Sequence, residues 1–214
     1  SVHTMTQKSN ADHGGHLCCA NLAISPKSEK FRNLAETLTQ RVSCLLYFHW
    51  LKQPTARTIY VPRRHQEIVA EIYRRMDCDV ALGQPQQAQG HGTLTVRVYS
   101  EAARARIRAD VLGADTIKTI RHARRELVEH SHVEVVYLEL PLEDPAAAEI
   151  AEALEQDGFG FLGLIPQFSA RGDILRMAYL VEPLAREPIK IYEPFGEKLV
   201  DYALAEQNRV QPDR

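Results

Sequence analysis

The chain has 214 residues and a mass of 24.2 kDa, which fits one domain of about 100–200 residues with a short leading segment. Hydrophobic residues make up 44% and charged residues 25% of the chain, which excludes disordered, collagenous and fibrous classes. The 26 Lys and Arg residues nearly balance the 28 Asp and Glu residues, and the net charge of -2 excludes a global basic field for nucleic acid or acidic membranes.

The cysteines and the apolar runs indicate a cellular compartment. The four cysteines are scattered along the chain and form neither paired metal-ligand spacings nor a dense disulfide framework. We therefore expect reduced thiols in a cytoplasmic protein. No apolar run approaches the roughly 18 residues of a membrane helix, and the N-terminus lacks a basic start followed by an apolar stretch. The sequence predicts neither a secreted nor a membrane-spanning chain.

The first residues suggest either a piece of a longer polypeptide or residues added for expression. The sequence starts at Ser1, its first methionine is Met5, and both lie in a polar stretch. We expect residues 1–26 to be the remnant or end of a preceding module. Residues 27–214 are then expected to form one α/β domain.

Hydrophobic spacing predicts the elements of the first ninety residues. In chain order they are a strand at 17–24, a helix at 29–40, a strand at 41–51, a short strand at 58–62 and an amphipathic helix at 63–77. The glutamine-rich segment 83–92 has no periodicity and is predicted to be a flexible loop.

Segment 93–112 is open to two interpretations. Its alanines and arginines are good helix formers, yet apolar and polar residues alternate with a period of two over residues 104–111. Because the period is the stronger signal, we predict two strands joined near Ser100 and Glu101 as a hairpin.

The remaining elements alternate between helices and strands. A helix is expected from about Asp115 to Glu129, followed by a strand at 132–142 that is apolar on both faces and therefore central in a sheet. A helix up to Asp157, strands at 159–165, 174–181 and 189–192, and a closing helix at 196–207 complete the chain. This order predicts an α/β (α+β) fold with a mixed, centrally buried β-sheet and helices on both faces.

Four pieces of the segment Val133–Leu180 carry a resemblance to a known family: the strand Val133–Glu139, the helix start Asp144–Ala148, and the segments Gln156–Phe159 and Phe161–Gly163. With these pieces the segment resembles the C-terminal half of the GNAT acetyltransferase family. The resemblance implies acetyl-CoA as cofactor, with the helix 115–129 meeting its pyrophosphate. The candidate cofactor-binding residues are then Leu112, Gly113, Ala114, Asp115, Thr116, Lys118 and Arg121.

The tail of the chain is similar to that of certain bacterial regulatory proteins. The similar pieces are Gly158–Pro166, Gly172–Met177 and Ile191–Tyr192. These proteins fuse an anti-sigma-type ATPase domain to acetyltransferase-like modules, and Val2–Asn10 resembles the end of a preceding module. The similarity implies a protein partner or an upstream ATPase domain.

Two departures from the GNAT pattern weaken the case for catalysis. The family's glycine-rich pyrophosphate loop is replaced by a stretch with one glycine and Asp115, whose carboxylate would repel a pyrophosphate at that helix end. The position of the family's usual proton-donating tyrosine is Leu154, which has no proton to give.

The candidate catalytic residues are Glu139 and Tyr137, late on the central strand. They would serve as base and acid in the acylation of an amine. The alternative is that the carboxylate is solvated at the strand end and the tyrosine belongs to the core.

Basic residues are massed between positions 104 and 125. Arg104, Arg106 and Arg108 share one face of a strand, and Lys118, Arg121 and Arg125 share one side of the next helix. Together they would form a cationic surface for the 3′-phosphate of CoA, another nucleotide or an acidic partner, and a solvated basic face is the alternative. No aromatic residues interleave with them, so we expect no nucleic-acid binding.

Two further motifs predict neither a metal site nor a dinucleotide site. His13, His16, Cys18 and Cys19 do not have the spacing of a structural zinc site, so no metal is predicted. The string of Gly158, Gly160 and Gly163 follows a helix rather than a strand, so it does not predict a dinucleotide cradle.

Two hypotheses about function follow. The chain is either a degenerate GNAT-like module that senses a ligand or binds a partner within a regulatory protein, or an acetyl-CoA-dependent N-acyltransferase. The missing glycine-rich loop and tyrosine favour the first.

Overall fold

The computed structural model describes residues 4–29, 38–52, 55–169 and 172–212. The helices are α1 (Met5–Asp12), α2 (Gln66–Arg75), α3 (Thr116–Arg125), α4 (Ala147–Glu155) and α5 (Pro194–Val210). The strands are β1 (His16–Ser25), β2 (Val42–Phe48), β3 (Arg57–Ile59), β4 (Val80–Leu82), β5 (Thr93–Tyr99), β6 (Arg104–Val111), β7 (Val135–Pro141), β8 (Gly160–Ser169) and β9 (Gly172–Leu180). Within these ranges, no helix combines the length and the apolar character needed to span a bilayer.

Seven strands form one mixed sheet. Their order is β2-β1-β8-β9-β7-β6-β5, with β6 and β7 parallel and the other neighbours antiparallel. The short strands β3 and β4 form a separate parallel pair. This arrangement confirms the predicted mixed α/β fold with a centrally buried sheet flanked by helices.

The centre of the sheet lies where the apolar pattern places it. All seven residues of β7 are buried, as expected for a strand that is apolar on both faces. In β6 the alternation has the predicted period of two, with Ala105, Ile107 and Ala109 buried between half-buried arginines. The hairpin interpretation of segment 93–112 is therefore confirmed.

Helix α3 covers the apolar face of β6. Its Arg124 stacks on the ring of Tyr179, with the guanidinium carbon 4.5 Å from the ring centroid. Tyr179 pairs with Val136, and Val136 pairs with Ala105, so all three share a face of the sheet. The arginines of β6 point to the opposite face. They do not form the single cationic surface with the basic residues of α3 that the sequence suggested.

The first strand is an integral part of the sheet in the structure. β1 pairs with β2 on one side and approaches β8 at Cys19 and Gly163 on the other. A Cβ atom at Gly163 would lie 2.5 Å from the carbonyl oxygen of Cys18, and its φ of 138° is one that L-residues rarely adopt. This glycine therefore allows two strands to approach closely. The module boundary near residue 26 stays a prediction.

One local prediction differs from the structure, helix α1 and strand β4 were not predicted, and the predicted helix at 29–40 lies largely outside the described part. Residues 189–192 do not form a strand, because the side chain of Gln7 satisfies their backbone: its Nε2 donates to Lys190 O at 2.8 Å, and Tyr192 N donates to its Oε1 at 2.9 Å. Strand β4 was not predicted, since three residues carry no usable periodicity. Most of the predicted helix 29–40 falls outside the described residues.

Candidate functional site

The parallel strands β6 and β7 diverge at their carboxyl ends. Their pairing stops at Arg108 and Glu139, although both strands continue for two or more residues. A cavity of about 290 Å³ opens there, lined by Arg108, Ala109, Asp110, Pro141, Phe168, Ser169 and Ile174. In α/β sheets, ligands bind at such a divergence of strand ends. We refer to this cavity as the strand-end cleft.

The start of α3 lies after the same end of β6 and is covered by the chain itself. Gly92 N donates to Asp115 Oδ1 at 2.7 Å, and Ala114 N donates to Gly90 O at 3.0 Å. A Cβ atom on Gly113 would lie 2.2 Å from Gly92 N, so the two backbones are in direct contact. The predicted flexible loop 83–92 thus ends as a cover on the first turn of α3, and we call residues 90–92 the loop cover.

The loop cover leaves a poor fit for a pyrophosphate. Asp115 is held as a carboxylate, because hydrogen bonds from Gly92 N and from the ring of His91 lower its pKa. Gly113 N donates to Thr116 Oγ1 at 2.8 Å, so this donor is also engaged. An anion at this helix end would meet a negative charge and backbone that already occupies the space. The structure places Leu112–Thr116 together, and their role in binding a cofactor stays a prediction.

The two basic candidates on α3 have different surroundings. Arg121 donates to Asp157 Oδ2 at 2.6 Å, so its charge is already paired. Lys118 is exposed one turn before it. Cofactor binding by Lys118 and Arg121 stays a prediction.

Glu139 lies in the interior, away from bulk solvent. Its side chain is fully buried and forms a short ion pair with Arg176, whose side chain is 9% exposed. Arg106 Nε lies 3.8 Å from its second oxygen, which has no hydrogen-bond partner among the described residues. Asn21 Oδ1 accepts a second hydrogen bond from Arg176 at 2.9 Å. The carboxylate is therefore paired with a buried guanidinium and does not face solvent.

Tyr137 is similarly engaged. Its hydroxyl donates to Leu22 O at 2.5 Å, and the side chain is almost completely buried. Burial, with nearby Cys44 as a second cause, raises its pKa above the ordinary value. A phenol that is buried, bonded to a backbone carbonyl and reluctant to ionise is a structural group. The catalytic roles suggested for Tyr137 and Glu139 stay predictions, and their surroundings favour the structural alternative.

A second cavity was missed by the sequence analysis. Its volume is about 680 Å³, and it is lined by Arg63, Arg64, Glu152, Glu155, Gln156, Arg209 and Val210. Behind it lies His65, completely buried in the 3-10 turn that precedes α2. Its Nε2 is 2.6 Å from Glu155 Oε1, and its Nδ1 is 2.8 Å from the hydroxyl of Tyr202. We call these buried groups and their partners the His65 cluster.

The His65 cluster offers metal-ligating atoms but already contains a cation. Ligand atoms of His65, Glu155 and Glu206 lie within 4.8 Å of one another. However, Arg209 Nη2 is 2.5 Å from Glu155 Oε2 and 2.6 Å from Glu206 Oε2, so a guanidinium bridges the two carboxylates. Burial raises the pKa of Glu155, but the hydrogen bonds and charges of His65 and Arg209 outweigh it and hold the pKa below its ordinary value. A metal ion would have to displace Arg209.

Little in the sequence pointed to this cluster. The spacing of Glu206 and Arg209 by three residues on one helix predicts a local ion pair. Glu155 and His65 are 90 residues apart and are brought together only by packing.

Two solved structures are similar to parts of the chain. No protein-family model and no curated protein matches the chain. Among solved structures, the chain is similar to a variant of the spermidine N-acetyltransferase of Vibrio cholerae, with 16% identity and a TM-score of 0.35 over 42% of this chain and 57% of that one. It is also similar to a protein described as an acetyltransferase, with 14% identity and a TM-score of 0.34 over 56% of this chain and 58% of that one. The chain thus spans less than two thirds of either structure.

Proposed function

We propose that this chain is a degenerate GNAT-like module that does not transfer acetyl groups and that acts as a ligand-sensing or interaction part of a larger bacterial regulatory protein. The proposal begins from the sequence resemblance of Val133–Leu180 and from the two departures from the family pattern. The geometry around α3 and β7 supports it further.

The loop cover carries the proposal. Acyl-CoA binding at the start of α3 would use backbone N–H groups that face an open space. Here that space holds Gly90–Gly92, and Asp115 adds a negative charge to it. To admit a pyrophosphate, the chain would have to break the bonds from Gly92 and Ala114 and move the loop away.

The buried state of Glu139 and Tyr137 supports the same conclusion. A general base must reach the proton that it removes, directly or through one water molecule. Glu139 is fully buried against Arg176, and the proton of Tyr137 is committed to a backbone carbonyl. Neither group is free to exchange protons with an amine.

The strand-end cleft supports a role in ligand sensing. It contains Arg108, whose Nε donates to Asp110 Oδ1 at 2.9 Å, and the ring of Phe168, which is 42% exposed. The ring lies close to two guanidinium groups. Its centroid is 5.9 Å from the guanidinium carbon of Arg106 and 5.8 Å from the guanidinium carbon of Arg176. A small ligand with an anionic or aromatic group is the kind of molecule that such a lining would hold.

Calorimetric titration with acetyl-CoA tests the proposal. We expect no heat of binding at ligand concentrations up to about 1 mM, because a donor bound more weakly than that lies outside the usual range of KM. Binding below that limit, with release of free CoA in the presence of an amine, would support the N-acyltransferase alternative and overturn the proposal.

Variants locate any binding that is observed. Gly113→Pro and Arg121→Ala would weaken acetyl-CoA binding at the start of α3. Lys52→Ala is the control and would not weaken it, because Lys52 is an exposed residue that follows β2, at the opposite edge of the sheet. Equal affinity in all three variants would remove α3 as the site. The regulatory context is tested by the full-length parent chain, where we expect an ATPase domain upstream.

A further inference from the structure

Strand β5 forms one edge of the seven-stranded sheet and is open to solvent. It is the last strand in the sheet order, so only β6 pairs with it among the described residues. Five of its seven residues are exposed, including Val96 at 44%, Val98 at 46% and Tyr99 at 36%. The strand contains no proline and one charged residue, Arg97.

An open edge of this kind is a pairing site. Half of the backbone N–H and C=O groups of an edge strand point outward, and natural proteins normally block them with charges, prolines, bulges or very short strands. β5 has a register irregularity only at its start, between Thr93 and Leu94. The six residues that follow are β-branched, aromatic or apolar except Arg97, which favours the addition of another strand.

The sequence of β5 is compatible with antiparallel pairing to itself. Val96 is the midpoint of Thr93–Tyr99, so a two-fold axis at Val96 is the register that pairs all seven residues of one copy with all seven of the other. In this register Val96 faces Val96, Leu94 faces Val98, and Arg97 faces Thr95. Apolar side chains therefore meet on one face of the joined sheet, and polar side chains meet on the other.

The charges agree with the same register. Centring the axis one residue later would place two Arg97 side chains directly opposite each other, which is unfavourable. With the axis at Val96, each Arg97 faces Thr95 of the other copy instead.

We propose that two copies of this chain associate through β5, in antiparallel register about Val96, to form one continuous fourteen-stranded sheet. The partner is thus a second copy of the chain. Main-chain hydrogen bonds and a small patch of apolar side chains hold the two copies together. The inference is independent of the proposed function, because no residue of α3, of the strand-end cleft or of the buried ion pair takes part.

Sedimentation analysis of the 214-residue chain over the micromolar range tests the association. We expect a reversible monomer–dimer equilibrium. The variants Val96→Lys and Val96→Glu each place like charges across the axis, and each is expected to weaken the dimer by at least about tenfold. Tyr192→Lys is the matched control, because Tyr192 is also 44% exposed but lies in the segment before α5. The dimerisation constant of this variant is expected to equal that of the wild-type chain.

Mixing the two Val96 variants tests the register itself. Lys and Glu then face each other, so the mixture is expected to form a heterodimer while each variant alone is monomeric. A wild-type chain that stays monomeric, or a dimer that Val96→Lys leaves intact, would overturn the proposal. A mixture that stays monomeric would overturn the register about Val96.

Hydrogen exchange of the wild-type chain gives a readout that does not depend on any variant. Amides of 93–99 are expected to become more protected as the chain concentration rises, while the rest of the sheet changes little. Protection that appears in another segment instead would contradict pairing through β5.

Discussion

Replacing Glu139 by glutamine separates a structural carboxylate from a catalytic one. Glu139→Gln keeps the shape of the side chain and removes its charge, which leaves the guanidinium of Arg176 buried without a counterion. Arg106, 3.8 Å from the same carboxylate, then adds a repulsive charge. We expect the protein to lose stability rather than only activity.

The magnitude follows from the burial of the pair. Breaking a buried ion pair by removing one partner costs about 3–5 kcal/mol. In a chain of this length 1 kcal/mol corresponds to about 2–4 °C in Tm, so the variant is expected to melt about 6–20 °C lower. Replacing both members of the pair with Glu139→Leu and Arg176→Met should cost less than the sum of the two single changes, because no charge is left unpaired.

Circular dichroism measures both changes, with thermal unfolding giving the Tm and urea denaturation giving the free energy of unfolding. The control is Glu182→Gln, which breaks an ion pair between exposed side chains, Lys27 at 46% and Glu182 at 62%. We expect this change to lower the free energy of unfolding by at most about 1 kcal/mol. A loss for Glu139→Gln that is no larger than that of the control would refute the reasoning. Glu139 would then be solvated and available as a base.

Three further predictions concern the His65 cluster, the loop cover and the thiols. The pKa of Glu155 is lowered in the folded state, so the ionised side chain contributes to stability above the ordinary glutamate pKa, and this contribution is lost as the pH falls through the lowered value. The destabilisation caused by Glu155→Gln should therefore shrink between about pH 7 and about pH 3. Asp115→Asn removes the charge that accepts the amide of Gly92, so hydrogen exchange at that amide should become faster, and an unchanged rate would show that the loop cover is held by other contacts. Burial raises the pKa of both the Cys18 and the Cys44 thiols, but only Cys44 of the four cysteines is partly exposed, so alkylation of the native chain should modify Cys44 first, as peptide mapping would show.

The sequence by itself was sufficient for the fold class and for most of the elements. The unbroken apolar run of β7 requires cover on both faces, and the alternation in β6 requires one buried face, because side chains in a strand alternate between the two sides. These are local rules, and they predicted the central strand and the hairpin correctly. The predicted strand at 189–192 was wrong because Gln7, more than 180 residues earlier, bonds to that backbone.

What the candidate site contains was decided by the tertiary structure. The sequence showed an aspartate near the start of α3, but not that Gly92 would bond to it from 23 residues away. It placed Glu139 at a strand end, where a carboxylate is usually solvated, whereas the sheet register brings Arg176 beside it and buries both. The His65 cluster likewise joins a 3-10 turn to two helices that are distant in the chain. Periodicity reports which face of an element is buried, but the partner of a buried charge depends on which elements meet across that face, and only the folded chain decides that.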